Sequence, residues 1–244
     1  MTKEGEEMAN YLTHVGNMFY QLQEYKKAIK FYEQAIEFMP ELTTAWFNKG
    51  SAFLYLKKHE EALICFEKAL NIDPNHTLAW NGKGSALLEL KRYEEAIQCF
   101  DIAISITPDL TLILYNKGSA LLAKEKYEEA IQCLDLVTNK EPSNWVAWNN
   151  KGVAYYNLKK YPEALECFDK SLDINPDFLK ALSNKGYILT YFKRYEEALG
   201  CFDKILELAP HVEPSYYEPF EKSALVCKKN IIREIQTMIS QSLE

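Results

Sequence analysis

The sequence predicts an all-α fold in which one pair of antiparallel helices is repeated six times. Glycine recurs at an unbroken interval of 34 residues, from Gly16 to Gly186, and proline recurs at the same interval from Pro40 to Pro210. Within each interval, apolar residues are spaced as on one face of a helix. Self-similarity at this period is typical of repeat arrays, in which each unit buries its apolar face against its neighbours. We therefore expect a solenoid with an extended binding surface.

The period also sets the predicted organisation of the chain. Residues 1–8 form an N-terminal extension, six repeats span residues 9–42, 43–76, 77–110, 111–144, 145–178 and 179–212, and residues 213–244 contain a C-terminal capping helix. Each repeat is expected to hold a first and a second helix, called the A helix and the B helix. Basic residues followed by acidic ones, such as Arg92 before Glu94, mark the turn between them, because these charges suit a helix end and a helix start.

The recurring glycines predict close contacts between helices, because a glycine inside a helix costs about 1 kcal/mol relative to alanine. We expect each glycine to face the alanine 12 residues later, as Gly50 would face Ala62. The fourth repeat departs most from the pattern, with Leu114 in place of tryptophan and Leu134 in place of an aromatic residue. We therefore expect the junction between the fourth and fifth repeats to be the most deformable.

Two other segments need a separate interpretation. Residues 102–106 and 110–114 alternate as strands do, but the repeat register predicts that they are helical. Residues 215–242 lose the repeat pattern and predict one amphipathic helix. This helix covers the last apolar face of the array, or it docks onto a partner or a second copy of the chain.

Composition excludes several classes of function. The chain has a formal net charge of −7, which disfavours nucleic acid because phosphate binding needs clustered lysine and arginine. No stretch approaches the roughly 20 apolar residues of a membrane helix, and the N-terminal residues lack the apolar core of a signal peptide. The sequence therefore predicts a cytoplasmic protein without a membrane partner.

The cysteines and histidines do not suggest a disulfide, a metal site or a catalytic site. Five of six cysteines, Cys65, Cys99, Cys133, Cys167 and Cys201, occupy one equivalent position in five repeats, so we expect them to be unpaired and partly buried. Their spacing to histidines does not match a metal site, and the four histidines are scattered in the repeat register. The glycines form no phosphate-binding loop. We expect no enzyme activity, no metal and no cofactor.

The repeat resembles the tetratricopeptide repeat. In the second repeat the residues that carry the resemblance are Trp46, Gly50, Ala62, Phe66, Ala69 and Pro74. The match covers residues 9–212. The resemblance implies a right-handed superhelix of antiparallel helix pairs, with a concave groove lined mainly by A helices, and it implies binding of peptides or other proteins.

If A helices line a groove, asparagine, serine and aromatic residues dominate the positions that face a ligand. The predicted groove residues are Asn17, Tyr20, Phe47, Asn48, Ser51, Asn81, Ser85, Tyr115, Asn116, Ser119, Asn149, Asn150, Tyr156, Asn184, Tyr187 and Tyr191. An asparagine amide both donates and accepts, so it can pair with an extended main chain in either direction. The alternative is that part of this ladder bridges adjacent repeats.

A second ladder consists of lysines one residue before the glycines of repeats two to six, from Lys49 to Lys185. These lysines either bind a ligand, or cover apolar surface with their stems while their ammonium groups reach water or a carboxylate. The sequence thus predicts a protein-interaction scaffold that holds an extended peptide or partner helix in its groove. The alternative is a scaffold that assembles with itself through the end of the array or the C-terminal helix.

Overall fold

The computed structural model describes residues 3–208 and 213–242, which form thirteen α-helices and no strand. The A and B helices of the six repeats are α1 (Lys3–Gln21), α2 (Tyr25–Phe38), α3 (Thr43–Tyr55), α4 (His59–Ile72), α5 (Thr77–Glu89), α6 (Tyr93–Ile106), α7 (Thr111–Ala123), α8 (Tyr127–Lys140), α9 (Trp145–Asn157), α10 (Tyr161–Ile174), α11 (Leu179–Tyr191) and α12 (Tyr195–Glu207). Helix α13 follows at Pro214–Ser242. The all-α repeat solenoid predicted from the period is confirmed.

Details differ from the sequence prediction at the ends of the chain. Helix α1 begins at Lys3, so most of the predicted N-terminal extension continues the first A helix. The strand-like residues 102–106 and 110–114 belong to α6 and to the start of α7, apart from Leu110 before that helix. Pro210, predicted to close the sixth repeat, lies outside the described residues.

Contacts divide the chain into two compact units, Met1–Lys126 and Tyr127–Glu244. The first unit contains α1 to α7, and the second contains α8 to α13. The boundary falls inside the fourth repeat, half a repeat earlier than the junction that the sequence predicted to be deformable. The deformability of that junction stays a prediction.

The turn between the A and B helices has the same backbone conformation in all six repeats. The residue after the helix cap is left-handed, with φ between 58° and 63°, at Gln23, Lys57, Lys91, Glu125, Lys159 and Lys193. At Lys91 its amide donates to the carbonyl of Leu88 at 3.0 Å, while the next amide, of Arg92, donates to Leu87 at 2.8 Å. These two bonds form a Schellman motif, which satisfies carbonyl groups at the end of the A helix.

The helical glycines make room for aromatic rings. A Cβ added at Gly50 would lie 2.9 Å from Cε1 of Phe66, and one at Gly84 would lie 2.6 Å from Cε1 of Phe100. The nearest atoms belong to the aromatic residue 16 positions later, and not to the alanine that the sequence pattern suggested. These rings are fully buried. Close packing of helix against ring is therefore what the recurring glycine permits.

The lysine ladder links adjacent repeats. Each ammonium lies near a carboxylate on the B helix of the preceding repeat, in the pairs Lys49–Glu33 (2.9 Å), Lys83–Glu67 (3.1 Å), Lys117–Asp101 (2.6 Å), Lys151–Asp135 (2.5 Å) and Lys185–Asp169 (2.6 Å). The stems of Lys49, Lys83 and Lys151 also lie beside tryptophan rings, with the ammonium groups 4.9–5.6 Å from the ring centroids. The ladder is a structural link between repeats, the second of the two interpretations that the sequence allowed.

Tryptophan provides a second link between repeats. The indole Nε1 donates to the carbonyl of the proline six residues earlier, from Trp46 to Pro40 at 2.8 Å and from Trp80 to Pro74 at 2.8 Å. The proline ends one repeat and the tryptophan lies on the next A helix. The recurring pair therefore fixes how consecutive repeats follow each other.

No disulfide joins the cysteines of the described residues, and the five equivalent cysteines are buried. Burial raises the pKa of the Cys65, Cys99 and Cys167 thiols to about 11, because the low dielectric disfavours a thiolate. These cysteines are core residues with unreactive thiols, as their register predicted.

Candidate functional site

Some asparagines of the ladder on the A helices form hydrogen bonds to one another between adjacent repeats. Asparagine Nδ2 donates to asparagine Oδ1 of the preceding repeat in the pairs Asn48–Asn17 (2.8 Å), Asn116–Asn81 (2.9 Å) and Asn184–Asn149 (3.2 Å). Bridging was the alternative role for part of the ladder, and the structure shows it for these pairs. Each bond occupies one amide hydrogen and one carbonyl lone pair, which leaves the rest of each amide for other partners.

Asn149 is the member of the predicted set that does not face solvent. Its side chain is only 3% exposed, and its Nδ2 also lies 3.4 Å from Oδ1 of Asn150. Asn17 is half-buried, and its Oδ1 also accepts from the hydroxyl of Tyr32 at 2.8 Å. Asn149 is therefore a bridge within the array, and its prediction as a ligand contact is corrected.

The serines of the predicted set are half-buried on the same helix face. The hydroxyl of Ser51 donates to the carbonyl of Phe47 at 3.0 Å, and that of Ser85 donates to Asn81 at 2.9 Å. Ser119 makes the same bond to Tyr115 at 3.0 Å. A hydroxyl that donates within its own helix still presents acceptor lone pairs, so this row can receive N–H groups from a ligand.

A shallow cavity of about 570 Å³ opens on the A-helix face of the first unit. Its lining residues are Leu54, Tyr55, Lys57, His59, Ser85, Leu88, Glu89 and Asn116. Ser85 and Asn116 belong to the predicted groove set. Tyr55, Leu88 and Glu89 occupy the twelfth and thirteenth positions of their repeats, as the predicted groove residues Tyr156 and Tyr191 do in theirs. The repeat register is therefore the signal that finds them.

His59 and Lys57 extend the cavity beyond the A helices. Lys57 is the left-handed residue of the turn, and His59 begins α4. The Nδ1 atom of His59 is buried and has no hydrogen-bond partner among the described residues. The other B helices begin with tyrosine at this position. A buried polar atom without a partner is uncommon in folded proteins, which distinguishes His59 from the tyrosines at the equivalent positions.

A tyrosine cluster borders the first unit's cavity. The ring of Tyr55 stacks on Tyr25 with centroids 4.9 Å apart, and it meets the edge of Tyr20 at 5.5 Å. Burial is the main cause that raises the pKa of Tyr20, with Tyr55 contributing next. Tyr55 itself is 62% exposed. Tyr20, predicted as a ligand contact, thus supports Tyr55, whose ring offers the larger accessible surface.

The second unit repeats this arrangement four repeats later in the sequence. Tyr161 lies 5.8 Å from Tyr156, 5.3 Å from Tyr191 and 5.5 Å from Phe192, measured between ring centroids. Tyr156 and Tyr191 were predicted groove residues, and both are exposed. Aromatic rings offer a large contact area with few rotatable bonds, which suits a binding surface.

A smaller cavity of about 200 Å³ adjoins this second cluster. Its lining residues are Val153, Tyr156, Asn157, Phe168, Asn184 and Tyr187, which bring together three predicted groove residues. The Tyr187 hydroxyl is hydrogen-bonded to Ser223 of α13. The capping helix thus helps to position one of the side chains in this cavity.

Residues 3–208 and 213–242 contain neither a metal-binding group nor a membrane-spanning helix. No group of three or more histidine, cysteine, aspartate or glutamate side chains is placed there to hold a metal ion. In the same residues, none of the helices has the length and apolar character needed to cross a membrane.

Comparison with protein families gives a consistent assignment. Tetratricopeptide repeat models match residues 43–76, 77–110 and 145–178, and a second such model matches residues 112–144 and 179–212. A TPR repeat model matches residues 16–56. A search of curated proteins found no match.

Solved structures show the same fold. YrrB, described as a TPR protein with an unusual peptide-binding site, is 27% identical, with a TM-score of 0.62 over 71% of this chain and 90% of its own. PilW, a type IV pilus biogenesis factor, is 22% identical, with a TM-score of 0.77 over 84% and 95%. PilF of Pseudomonas aeruginosa is 20% identical, with a TM-score of 0.73 over 90% and 99%. With models matched along most of its length, the chain belongs to the tetratricopeptide repeat family.

Proposed function

We propose that this protein-interaction scaffold binds an extended peptide on the A-helix face of its first unit. The proposal depends on the cavity of about 570 Å³, in which apolar and polar groups from three A helices, one turn and the start of one B helix converge. Proteins of this family are generally scaffolds without catalytic activity, and the proposal follows that pattern.

The cavity offers two kinds of contact to a peptide. Leu54, Leu88 and the exposed ring of Tyr55 supply an apolar floor for one or two ligand side chains. The hydroxyl of Ser85 and the amide of Asn116 lie on the same face and can pair with main-chain groups. Apolar contacts would supply most of the affinity, and the polar groups would fix the direction of the peptide.

Charge gives the cavity limited selectivity. Lys57 and Glu89 both line it, so neither a strongly acidic nor a strongly basic peptide is favoured overall. A neutral peptide with one or two apolar anchors fits this arrangement. YrrB, which is 27% identical and is described as a TPR protein with an unusual peptide-binding site, supports peptide binding as the class of function.

A peptide selection with a matched pair of variants tests this proposal. A phage-displayed library of 12-residue peptides is panned on the protein, and the best binder is measured by fluorescence polarisation. Ser85→Lys places a long charged chain in the cavity, whereas Gln98→Lys adds the same group on the exposed surface of α6. We expect Ser85→Lys to weaken binding at least about tenfold, or about 1.4 kcal/mol. Gln98→Lys should change it less than about twofold.

Two results would contradict peptide binding at this cavity. One is a library that yields no enriched peptide. The other is a selected peptide that binds the two lysine variants equally well, which would place its site elsewhere on the chain.

Self-association is the second candidate, favoured by the exposed surface of α1. In α3 and α5 the residues that face the preceding repeat are fully buried alanines, such as Ala79 and Ala86. The equivalent residues of α1 are Tyr11 and Met18, which are 63% and 53% exposed. An apolar stripe of this kind often marks an interface. It would join two copies end to end.

Sedimentation velocity over a range of concentrations tests the second candidate. Met18→Glu adds a charge to the α1 stripe, and Ile64→Glu adds one at an exposed apolar residue of α4. If α1 mediates association, the sedimentation coefficient of wild type rises with concentration and only Met18→Glu abolishes the rise. A monomer at every concentration would exclude this candidate.

A further inference from the structure

The middle of α13 has the contacts of an A helix, although the 34-residue period has ended. Ala224 and Ile231 are 0% and 1% exposed and are seven residues apart, as are the buried residues Ala181 and Ile188 of α11. Lys228 follows Ala224 by four residues, as each ladder lysine follows its buried residue. Its ammonium pairs with Asp203, which is the sixth-repeat equivalent of the carboxylates in the ladder. The Lys228–Asp203 pair therefore continues the lysine ladder into α13.

This register identifies a face of α13 that has no covering helix among the described residues. In the sixth repeat, Leu182, Gly186 and Leu189 lie on the face of α11 that packs against its own B helix, and both leucines are at most 4% exposed. The equivalent residues of α13 are Leu225, Lys229 and Ile232. Leu225 is 51% exposed and Ile232 is 46% exposed. The position of a seventh B helix is thus open.

The open face is also basic. A shallow cavity of about 470 Å³ lies along it, lined by Leu225, Lys228, Lys229, Ile232, Arg233 and Gln236. Three of these six side chains are cationic and none is acidic, on a chain whose formal net charge is −7. Lys228 is already paired with Asp203, so Lys229 and Arg233 supply the charge that a partner would meet.

We propose that this face of α13 binds an acidic amphipathic helix of a partner protein, in the position that a B helix takes in each repeat. The apolar stripe of such a helix would cover Leu225 and Ile232, and its carboxylates would pair with Lys229 and Arg233. The chain's own B helices have this chemistry, since the first turn of α6 contains Glu94 and Glu95 beside an apolar stripe. A helix laid on an apolar groove with charged edges is a common mode of recognition.

Lys229 sets the shape of the helix that can dock. It stands where the repeats have glycine, so an aromatic ring cannot approach α13 as Phe202 approaches Gly186. Small or aliphatic residues on the partner helix would fit opposite Lys229, flanked by glutamate or aspartate. A second copy of α13 is disfavoured as the occupant, because it would bring Lys229 and Arg233 against the same cations.

A charge-matched pair of peptides tests this proposal directly. The probe is a fluorescein-labelled, side-chain-stapled peptide with the sequence of residues 93–106, in which Cys99 is serine and Phe100 is leucine. Its counterpart carries lysine in place of Glu94, Glu95 and Asp101. We expect the full-length protein to bind the acidic peptide and to bind the lysine counterpart at least about tenfold more weakly.

Two double variants with the same change in charge locate the binding. Lys229→Glu with Arg233→Glu reverses the exposed charges of the face, and it should weaken binding of the acidic peptide at least about tenfold. Lys30→Glu with Lys68→Glu makes the same change at exposed lysines of α2 and α4, and should have less than about a twofold effect. Ile232→Gln tests the apolar floor and should also weaken binding. Unchanged far-UV circular dichroism confirms that each variant is folded.

Other occupants of the face give different results. If the protein floats with vesicles of phosphatidylcholine and phosphatidylserine and binds neither peptide, the occupant of the face is an anionic lipid surface and not a partner helix. Concentration-dependent mass that Lys229→Glu with Arg233→Glu abolishes would replace it by a second copy. Equal binding of both peptides would overturn the proposal. Ser85→Lys should leave binding of the acidic peptide unchanged. The proposal for α13 can therefore fail or succeed independently of the proposal for the first unit's cavity.

Discussion

Gly82→Ala is the substitution that best tests the packing described for the A helices. Gly82 lies on α5 and has a negative φ, so an alanine is compatible with its backbone. An added Cβ would lie 2.5 Å from Cζ, 2.6 Å from Cε1 and 2.9 Å from Cε2 of Phe66. The ring is fully buried, and Gly50 contacts it as well, with its own added Cβ 2.9 Å from Cε1. Phe66 therefore has little room to move away.

Two opposing contributions set the size of the effect. Alanine gains about 1 kcal/mol over glycine in a helix. Overpacking of a buried site costs about 1–3 kcal/mol, and the confined ring places this site in the upper part of that range. We expect the net free energy of unfolding to fall by about 1–2 kcal/mol.

Gly200→Ala is the matched control, because it is the same substitution in a helix of the same array. Gly200 is exposed on α12, and an added Cβ there has no heavy atom within 4 Å. Only the helix propensity remains, so stability should rise by about 0.5–1 kcal/mol. Urea unfolding followed by circular dichroism and tryptophan fluorescence measures both variants. The two substitutions should move the midpoint in opposite directions.

A double variant separates ring packing from other causes. In a Phe66→Leu background the ring is absent, so Gly82→Ala should become neutral or stabilising. The reasoning is refuted if Gly82→Ala raises the urea midpoint as Gly200→Ala does. It is also refuted if the cost of Gly82→Ala persists without the ring.

Three further predictions concern the turns, the cavity and the thiols. Lys91→Gly should raise the free energy of unfolding by about 1 kcal/mol in urea titrations, because glycine removes the cost of a left-handed φ of 60°; a lower midpoint would contradict this. His59→Tyr should raise stability by about 1 kcal/mol because it removes a buried Nδ1 without a partner, and it should weaken the selected 12-residue peptide by filling the cavity edge; unchanged affinity would contradict its place in the site. Burial raises the pKa of Cys65, Cys99 and Cys167 from 9.0 to about 11. The unfolded state therefore loses these protons before the folded state does as the pH rises. The free energy of unfolding should be highest below pH 9 and should decline between about pH 9 and 11. Replacing all three by alanine should reduce that slope in urea midpoints measured from pH 8 to 11, and an identical slope would refute the assignment.

The helices and their order could be predicted from the sequence because a helix is a local structure with a local signature. Residues 102–106 alternate as a strand does, yet they lie in α6. The helix was predicted correctly from the 34-residue period, the charges at the A–B turn and the apolar spacing. The spacing of Cys65 and Cys99 likewise predicted unpaired, buried thiols. In each case several copies of one pattern supplied information that a single copy lacks.

The candidate site was predicted less completely, because contacts depend on three-dimensional neighbours. Asn116 and Ser85, two of the predicted groove residues, line the first unit's cavity, and their role in binding stays a prediction. Asn149 is on the expected helix but is buried against the next repeat, which its sequence position could not reveal. The histidines were interpreted from the sequence only as scattered in the repeat register, yet His59 lines the cavity.

By itself, the sequence determined the family, the helix pairs and the face on which asparagine, serine and tyrosine lie, since all three follow from a period that is written along the chain. The tertiary structure decided which of these side chains bridge repeats, which aromatic ring fills the space above Gly50, and that α13 takes the register of an A helix with one face open. Those features depend on side chains far apart in sequence. Lys228 follows Lys185 by more than one repeat length, so the equivalence of the two lysines is shown by the burial of Ala224 and Ile231 and by the pairing with Asp203.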